Sequence, residues 1–185
     1  MMDAIRVLLC SAVLAGAAGQ AGADGMRLET FGDAPETRWD YVSDRVMGGV
    51  SDGQATFRTE NGEAFVHLTG RVSTENNGGF IQVRQRLAEP FPAGSGGIVL
   101  RVRGNGDRYF VHLRTTETSR PWYYYQAAFD TGPDWSEVRL PLADFKPSNA
   151  VLPATVDPET ITSIGLVAFG RDHRADVSLA SVTVY

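Results

Sequence analysis

Thiols are almost absent from this chain: of 185 residues one is a cysteine, Cys10, and it falls inside an apolar N-terminal run. A protein with one cysteine forms no internal disulfide and no cysteine-ligated zinc site, and if that run is removed it has no thiolate chemistry. Histidine is scarce as well. His67, His112 and His173 lie in separate segments without ligand-like spacing, so a transition-metal centre is not indicated. Surplus positive charge is also lacking. Lys+Arg total 17 against 22 Asp+Glu, giving a net charge of -5 and a pI near 5.2, which is the wrong sign for a partner with a phosphate backbone. Nucleic acid is therefore not expected as a partner. No segment sustains a 3.6-residue apolar period, so helix content should be low.

One long apolar run exists, from Ile5 to Ala18, and it is too short for a comfortable membrane span. Arg6 leads it and Ala21-Gly22-Ala23 follows it ahead of Asp24, the arrangement of a secretory signal with a small-x-small cleavage site. We read residues 1–23 as that signal and 24–185 as one exported domain, periplasmic or secreted, with no stable membrane span after cleavage. Retention of the run as an uncleaved anchor is the alternative. Cys10 follows Val7-Leu8-Leu9, where a lipid-attachment signal would need small residues.

What is plentiful is glycine, 20 residues, set between segments of alternating apolar and polar character. Gln54 to Thr59 and Ala64 to Arg71 alternate about Asn61-Gly62, which predicts a hairpin. Further strands are predicted over 80–87, 98–103, 109–114, 123–129, 135–142, 161–169 and 177–185, while Gly25 to Trp39 reads as an irregular lead. About nine or ten short strands at this spacing predict an all-β sandwich. Asp44-Arg45-Val46-Met47-Gly48-Gly49-Val50-Ser51 and Asn76-Asn77-Gly78-Gly79-Phe80 have neither helix nor strand period. We expect these two loops to pack together at one end of the sandwich, with Gly49 and Gly79 needing positive φ.

Three chemistries can be read from the residues. Gly49-Val50-Ser51-Asp52-Gly53 has the G-x-S-x-G form of a nucleophile elbow, but a strand follows it where that motif needs a helix. The plainer reading is a serine bonded within its own turn. Gly104-Asn105-Gly106-Asp107 reads as a hairpin turn, since no helix follows it. Asp40, Asp44 and Asp52 are the oxygens a structural Ca2+ would use, though no D-x-D-x-D-G spacing is present and solvated turn carboxylates are the alternative. No other cofactor or metal is expected. Lastly, strand parity places Gln82, Arg84, Arg101, Arg103, His112, Arg114, Tyr124 and Gln126 outward, as though on one sheet face. Such a face offers planar donors beside aromatic rings, suited to sugar hydroxyls or to a protein's carbonyls and carboxylates. The alternative is a face that is merely solvated. Trp39 and Trp135 read as core or corner residues.

Trp39, the Asp44-x-Val46-Met47-Gly48-Gly49-x-Ser51 run, Asn76-Asn77-Gly78-Gly79-Phe80, Arg101-x-Arg103-Gly104-x-Gly106-x-Arg108-Tyr109, Tyr125-Gln126-Ala127-x-Phe129, Asp144-Phe145-x-Pro147 and Ser163-Ile164-Gly165-Leu166 occur in order. In these runs the chain resembles the complex I intermediate-associated protein 30 family. The resemblance implies a galactose-binding-like jelly roll, similar to family 11 carbohydrate-binding modules. It also implies a non-catalytic role in which a protein partner is engaged during assembly. A carbohydrate-binding module is the alternative function, and a serine hydrolase using Ser51 a third. Arg84, Arg101, His112, Tyr124 and Gln126 are the candidate binding residues. Trp39, Asp44, Met47, Gly48, Gly49, Ser51, Asn77, Gly78, Gly79 and Phe80 are the expected structural loop residues.

Overall fold

The computed structural model describes residues 25–185; the signal read at 1–23 lies outside the described residues. Among the described residues twelve strands form two antiparallel sheets: β1 (Met26–Glu29), β2 (Trp39–Ser43), β3 (Asp52–Glu60), β4 (Glu63–Val72), β5 (Phe80–Arg86), β6 (Gly97–Gly104), β7 (Arg108–Thr115), β8 (Tyr125–Asp130), β9 (Ser136–Pro141), β10 (Lys146–Pro147), β11 (Ile161–Phe169) and β12 (His173–Val184). The first sheet runs β3-β4-β12-β6-β9, with β1 also on β12, and the second runs β10-β8-β7-β11-β5-β2. Helical structure among the described residues is confined to short 3-10 turns.

The alternation read in the sequence is what joins the two layers. Val66, Leu68, Leu100, Val102 and Leu179 of the first sheet meet Ile81, Val83, Tyr109, Val111, Leu113 and Leu166 of the second, all nearly sealed from water. Each such side chain contributes about 1.5–3 kcal/mol when fully buried. The β3–β4 hairpin turns on Asn61 and Gly62, both left-handed at φ 51 and 82, as an Asn-Gly turn of this kind requires.

Three strands were not anticipated. β1 lies in what reads as an irregular lead, β2 starts at the last residue of that lead and runs only five residues, and β10 is only two residues long, so none is long enough to display a period. The Gly104-Asn105-Gly106-Asp107 turn is not a hairpin. It carries the chain from β6 in the first sheet to β7 in the second, which decides where the candidate site residues go.

Candidate binding face and the loop hub

The Gly-rich loops are organised by one buried carboxylate. Asp44 is fully enclosed and accepts four hydrogen bonds, from the backbone N–H groups of Ser51 (2.9 Å), Gly79 (2.6 Å) and Phe80 (3.2 Å) and from the Ser51 hydroxyl (2.5 Å). Burial acts to raise its pKa, but these donors outweigh it and hold the carboxyl below its ordinary value. Ser51 Oγ also accepts from Ser73 N–H at 2.9 Å, so the two loops and the end of β4 share one network. The expected packing of the loops is present, with two corrections. Gly49 does not have positive φ; it is glycine because a Cβ there would strike the Asp44 carboxyl, whereas Gly48 and Gly79 are the left-handed ones at φ 92 and 123. Val46 and Met47 do not face the second loop but point into solvent, 76% and 56% exposed. Trp39 is buried as expected, its indole N–H donating 2.8 Å to Glu29, a nearly enclosed carboxylate that also holds Arg38.

The eight outward residues do not share a face. Gln82, Arg84, His112, Arg114 and Gln126 lie on strands of the second sheet and Tyr124 immediately precedes β8, but Arg101 and Arg103 sit on β6 in the first sheet. There Arg101 pairs with Glu63 (2.5 Å) and Arg103 with Glu60 (2.6 Å), and both guanidinium groups lie over the Trp135 ring, at 5.4 and 4.6 Å from its centroid. Trp135 is thus neither core nor corner; it lies half-buried on an outer face, edge-on to Phe65 and covered by paired arginines. Groups satisfied in this way describe a solvated, ion-paired surface.

The outer face of the second sheet differs. Across its strands one register row reads Asp40, Arg84, Gly165, His112, Gln126, Lys146. The adjoining row reads Val42, Gln82, Val167, Phe110, Ala128, and on the other side Arg86 and Arg114 flank Ser163. The His112 and Tyr124 rings stack face to face at 4.0 Å, and Phe169 meets His112 edge-on at 5.5 Å and Phe110 at 5.8 Å. Burial pushes the His112 imidazole down to about 3, with Gln126 opposing slightly, so the ring is neutral at physiological pH. Neither His112 Nε2 nor Gln126 Oε1, both shut off from solvent, has a partner of good hydrogen-bond geometry among the described residues. Phe110, Gln126 and Phe169 floor an open cleft of about 590 Å³ whose walls carry the ion pairs Arg108–Asp130 and Arg171–Asp107.

A larger cleft, about 760 Å³, borders β3, β4 and the start of β12, but its lining of Arg45, Gln54, Arg71, Arg174 and their neighbours includes no aromatic ring. Phe169 was not singled out in the sequence. It ends a run, Ile164 to Phe169, that is apolar at every position after Gly165, and a strand apolar on both faces hides its own parity. Ser51 is fully buried and bonded to Asp44, and a strand follows it, so it has neither the exposure nor the helix of a nucleophile elbow. Asp44 is committed to protein donors, Asp52 turns to Arg45 at 3.5 Å, and no group of three or more metal-ligating side chains gathers among the described residues. No helix among the described residues is long and apolar enough to cross a membrane.

Two antiparallel sheets packed face to face in this strand order define a galactose-binding-like jelly roll. The chain belongs to the family described as Complex I intermediate-associated protein 30, which it matches over residues 30–179. No curated protein matches the sequence. Among solved structures it is similar to the family 11 carbohydrate-binding module from Clostridium thermocellum in complex with a β-1,3-1,4-mixed-linked tetrasaccharide, at 12% identity and TM-score 0.68 over 86% of this chain and 94% of that one. The family 11 module of the cellulosomal cellulase Lic26A-Cel5E of Clostridium thermocellum gives 11% identity and TM-score 0.70 over 89% and 95% of the two chains. A family 30 carbohydrate-binding module follows at 14% identity and TM-score 0.54, over 74% of this chain and 91% of that one. At these identities the likeness is one of fold.

Proposed function

We propose that this protein is a non-catalytic, exported glycan-binding module whose site is the outer face of the second sheet. The observation that carries the reading is the His112–Tyr124 stack beside Phe169 and Phe110, with the polar side chains of Gln82 and Arg84 in the same register rows. Aromatic faces take the C–H side of a sugar ring, and planar polar groups at their edge take its hydroxyls. The family 11 module solved with a tetrasaccharide shares the frame and supports the reading. Export rests on the N-terminal apolar run, Ile5 to Ala18, and its small-residue boundary. The test is affinity electrophoresis in gels containing single polysaccharides. Retardation by at least one glycan, lost in Tyr124→Ala and Phe169→Ala with circular dichroism unchanged, is the expected result; no retardation across a broad panel refutes it.

A second reading, docking to a protein during assembly, draws on the family's description and on one feature of the hub: Val46 and Met47 are held outward by a loop that Asp44 fixes in place. Its test is a Met47→Asp variant in cells. Loss of association with a respiratory-complex intermediate, with glycan binding kept, would favour this reading over the first.

A further inference from the structure

We infer that the ligand of this face is an anionic glycan, one carrying carboxylate or sulfate groups, with Arg84 and Arg86 as its contacts. The inference rests on the glycan-binding reading above and narrows its substrate class. The chain as a whole is acidic, at -5, and at the far edge of this face Asp130 and Asp107 are matched by Arg108 and Arg171, yet its remaining rows set Arg84, Arg86, Arg114 and Lys146 against one carboxylate, Asp40. Asp40 stands opposite Arg84 across the β2–β5 pair but forms no ion pair with it, and neither Arg84 nor Arg86 has an acidic partner among the described residues. On the opposite sheet Arg101 and Arg103 are both matched by glutamates, and Arg71 and Arg174, which stand unmatched there among the described residues, line a cleft without an aromatic ring, so unmatched cations lie beside aromatic rings on the second sheet's face.

Arg114 sharpens the argument. Its guanidinium clamps the β7–β8 connection by donating to the carbonyls of Thr118 (2.9 Å), Arg120 (2.8 Å) and Pro121 (3.4 Å), so its donors are partly occupied while its charge stays without a carboxylate. Arg86 and Arg114 flank Ser163 on either side, which puts their strands about 10 Å apart. Burial and the nearby charges of Arg84 and Arg86 hold the Arg114 pKa below its ordinary value, as like charges brought together do. Three cations gathered beside a single carboxylate that pairs with none of them repel one another, and a bound carboxylate or sulfate relieves that repulsion. Guanidinium groups suit these oxyanions because their paired N–H groups meet two oxygens at once. Gly165 lies between Arg84 and His112 in the register row, so the cationic end of the face runs directly into the aromatic end. A chain of acidic sugars would lie across both, rings on Tyr124 and Phe169 and charged groups on the arginines.

The experiment compares the purified protein in affinity gels containing a neutral mixed-linkage β-1,3-1,4-glucan, a polyuronate or a sulfated galactan, at 20 and 300 mM salt. The expected result is retardation by the polyuronate, the sulfated galactan or both, weakened by salt and reduced tenfold or more in Arg84→Ala/Arg86→Ala. Arg101→Ala, which removes the same kind of charge from the other sheet, should leave it within twofold. Which anionic arm responds identifies the group. Equal binding of the neutral glucan, insensitive to salt and to the arginine pair, overturns the inference and leaves the glycan-binding reading intact. Equal losses in Arg101→Ala and Arg84→Ala/Arg86→Ala also overturn it, because the attraction is then non-specific. Binding to no glycan under any condition overturns both.

Discussion

Removing the Asp44 carboxylate should cost more stability than any other single change in the loops. In Asp44→Ala the N–H groups of Ser51, Gly79 and Phe80 lose their acceptor in a site closed to water, and the Ser51 hydroxyl keeps only the Ser73 carbonyl at 3.2 Å. Each stranded buried donor costs about 1–3 kcal/mol, and relaxation recovers part of it, so a loss of about 4–6 kcal/mol is expected. Against a total of about 5–15 kcal/mol for an ordinary domain, that brings the protein close to unfolding. Asp44→Asn keeps the shape but points an amide N–H₂ at donors that need an acceptor, for about 2–4 kcal/mol. Ser51→Ala removes one bond to Asp44 and strands Ser73 N–H, for about 1–2 kcal/mol. Urea unfolding followed by tryptophan fluorescence gives the three values, provided the slope with denaturant stays constant. At roughly 2–4 °C per kcal/mol for a chain of this length, Asp44→Ala should melt some 10–20 °C below the parent. A loss under about 1 kcal/mol in Asp44→Ala would refute the hub, as would Ser51→Ala exceeding it.

Acidification should destabilise the protein in two stages. A histidine held near 3 binds its proton only on unfolding once the pH falls below about 6.5, so stability drops from there towards 3, with a ceiling of about 5 kcal/mol; His112→Phe should flatten this stretch. Below about 4 the depressed carboxyls Asp44 and Glu29 add a second loss, because the stability they contribute is present only while they are ionised, and Asp44→Asn should shrink it. Gly79→Ala forces a side chain to φ 123 and should cost about 1–3 kcal/mol, while Gly49→Ala should cost at least as much through collision with Asp44; thermal melts that match the parent would show the loops yielding. Arg101→Ala breaks a half-exposed ion pair and should change stability by no more than about 1 kcal/mol in the same melts.

Nine of the twelve strands among the described residues were legible, eight because each alternates over enough residues for its period to show and β11 as a short apolar run, and the loops were legible because paired glycines punctuate them. The role of Asp44 was not. Four donors meet its carboxylate from Ser51, Gly79 and Phe80, as many as 36 positions away, and no local pattern announces such convergence. Parity named the outward residues of β5, β6 and β7 correctly but could not assign them to a sheet, since alternation is identical on both layers of a sandwich. The chain crosses between layers over residues 87–96, which separates Arg84 from Arg101, and again at Gly104 to Asp107, which separates Arg101 from His112, and a turn between strands reads alike whether it folds back or crosses over.

The division between frame and face bears on what family membership can mean here. The Asp44 to Ser51 and Asn76 to Phe80 runs that carry the resemblance converge on the hub, where substitution strands donors or collides with backbone. Arg84, Arg86, His112 and Tyr124 lie outside every one of those runs and point away from the core. Outward arginines such as Arg84 and Arg86 usually change stability by about 0.5 kcal/mol or less when replaced, so the charged end of the face can be rewritten without disturbing the frame. A relative with the same hub and different residues in these rows should then fold alike and bind something else, because function resides in the site a fold displays. Transplanting Arg84 and Arg86 onto such a relative should confer salt-sensitive retention by an anionic glycan only where rings equivalent to Tyr124 and Phe169 are already present. Retention without those rings would mean that charge alone recruits the ligand and the aromatic rows are structural.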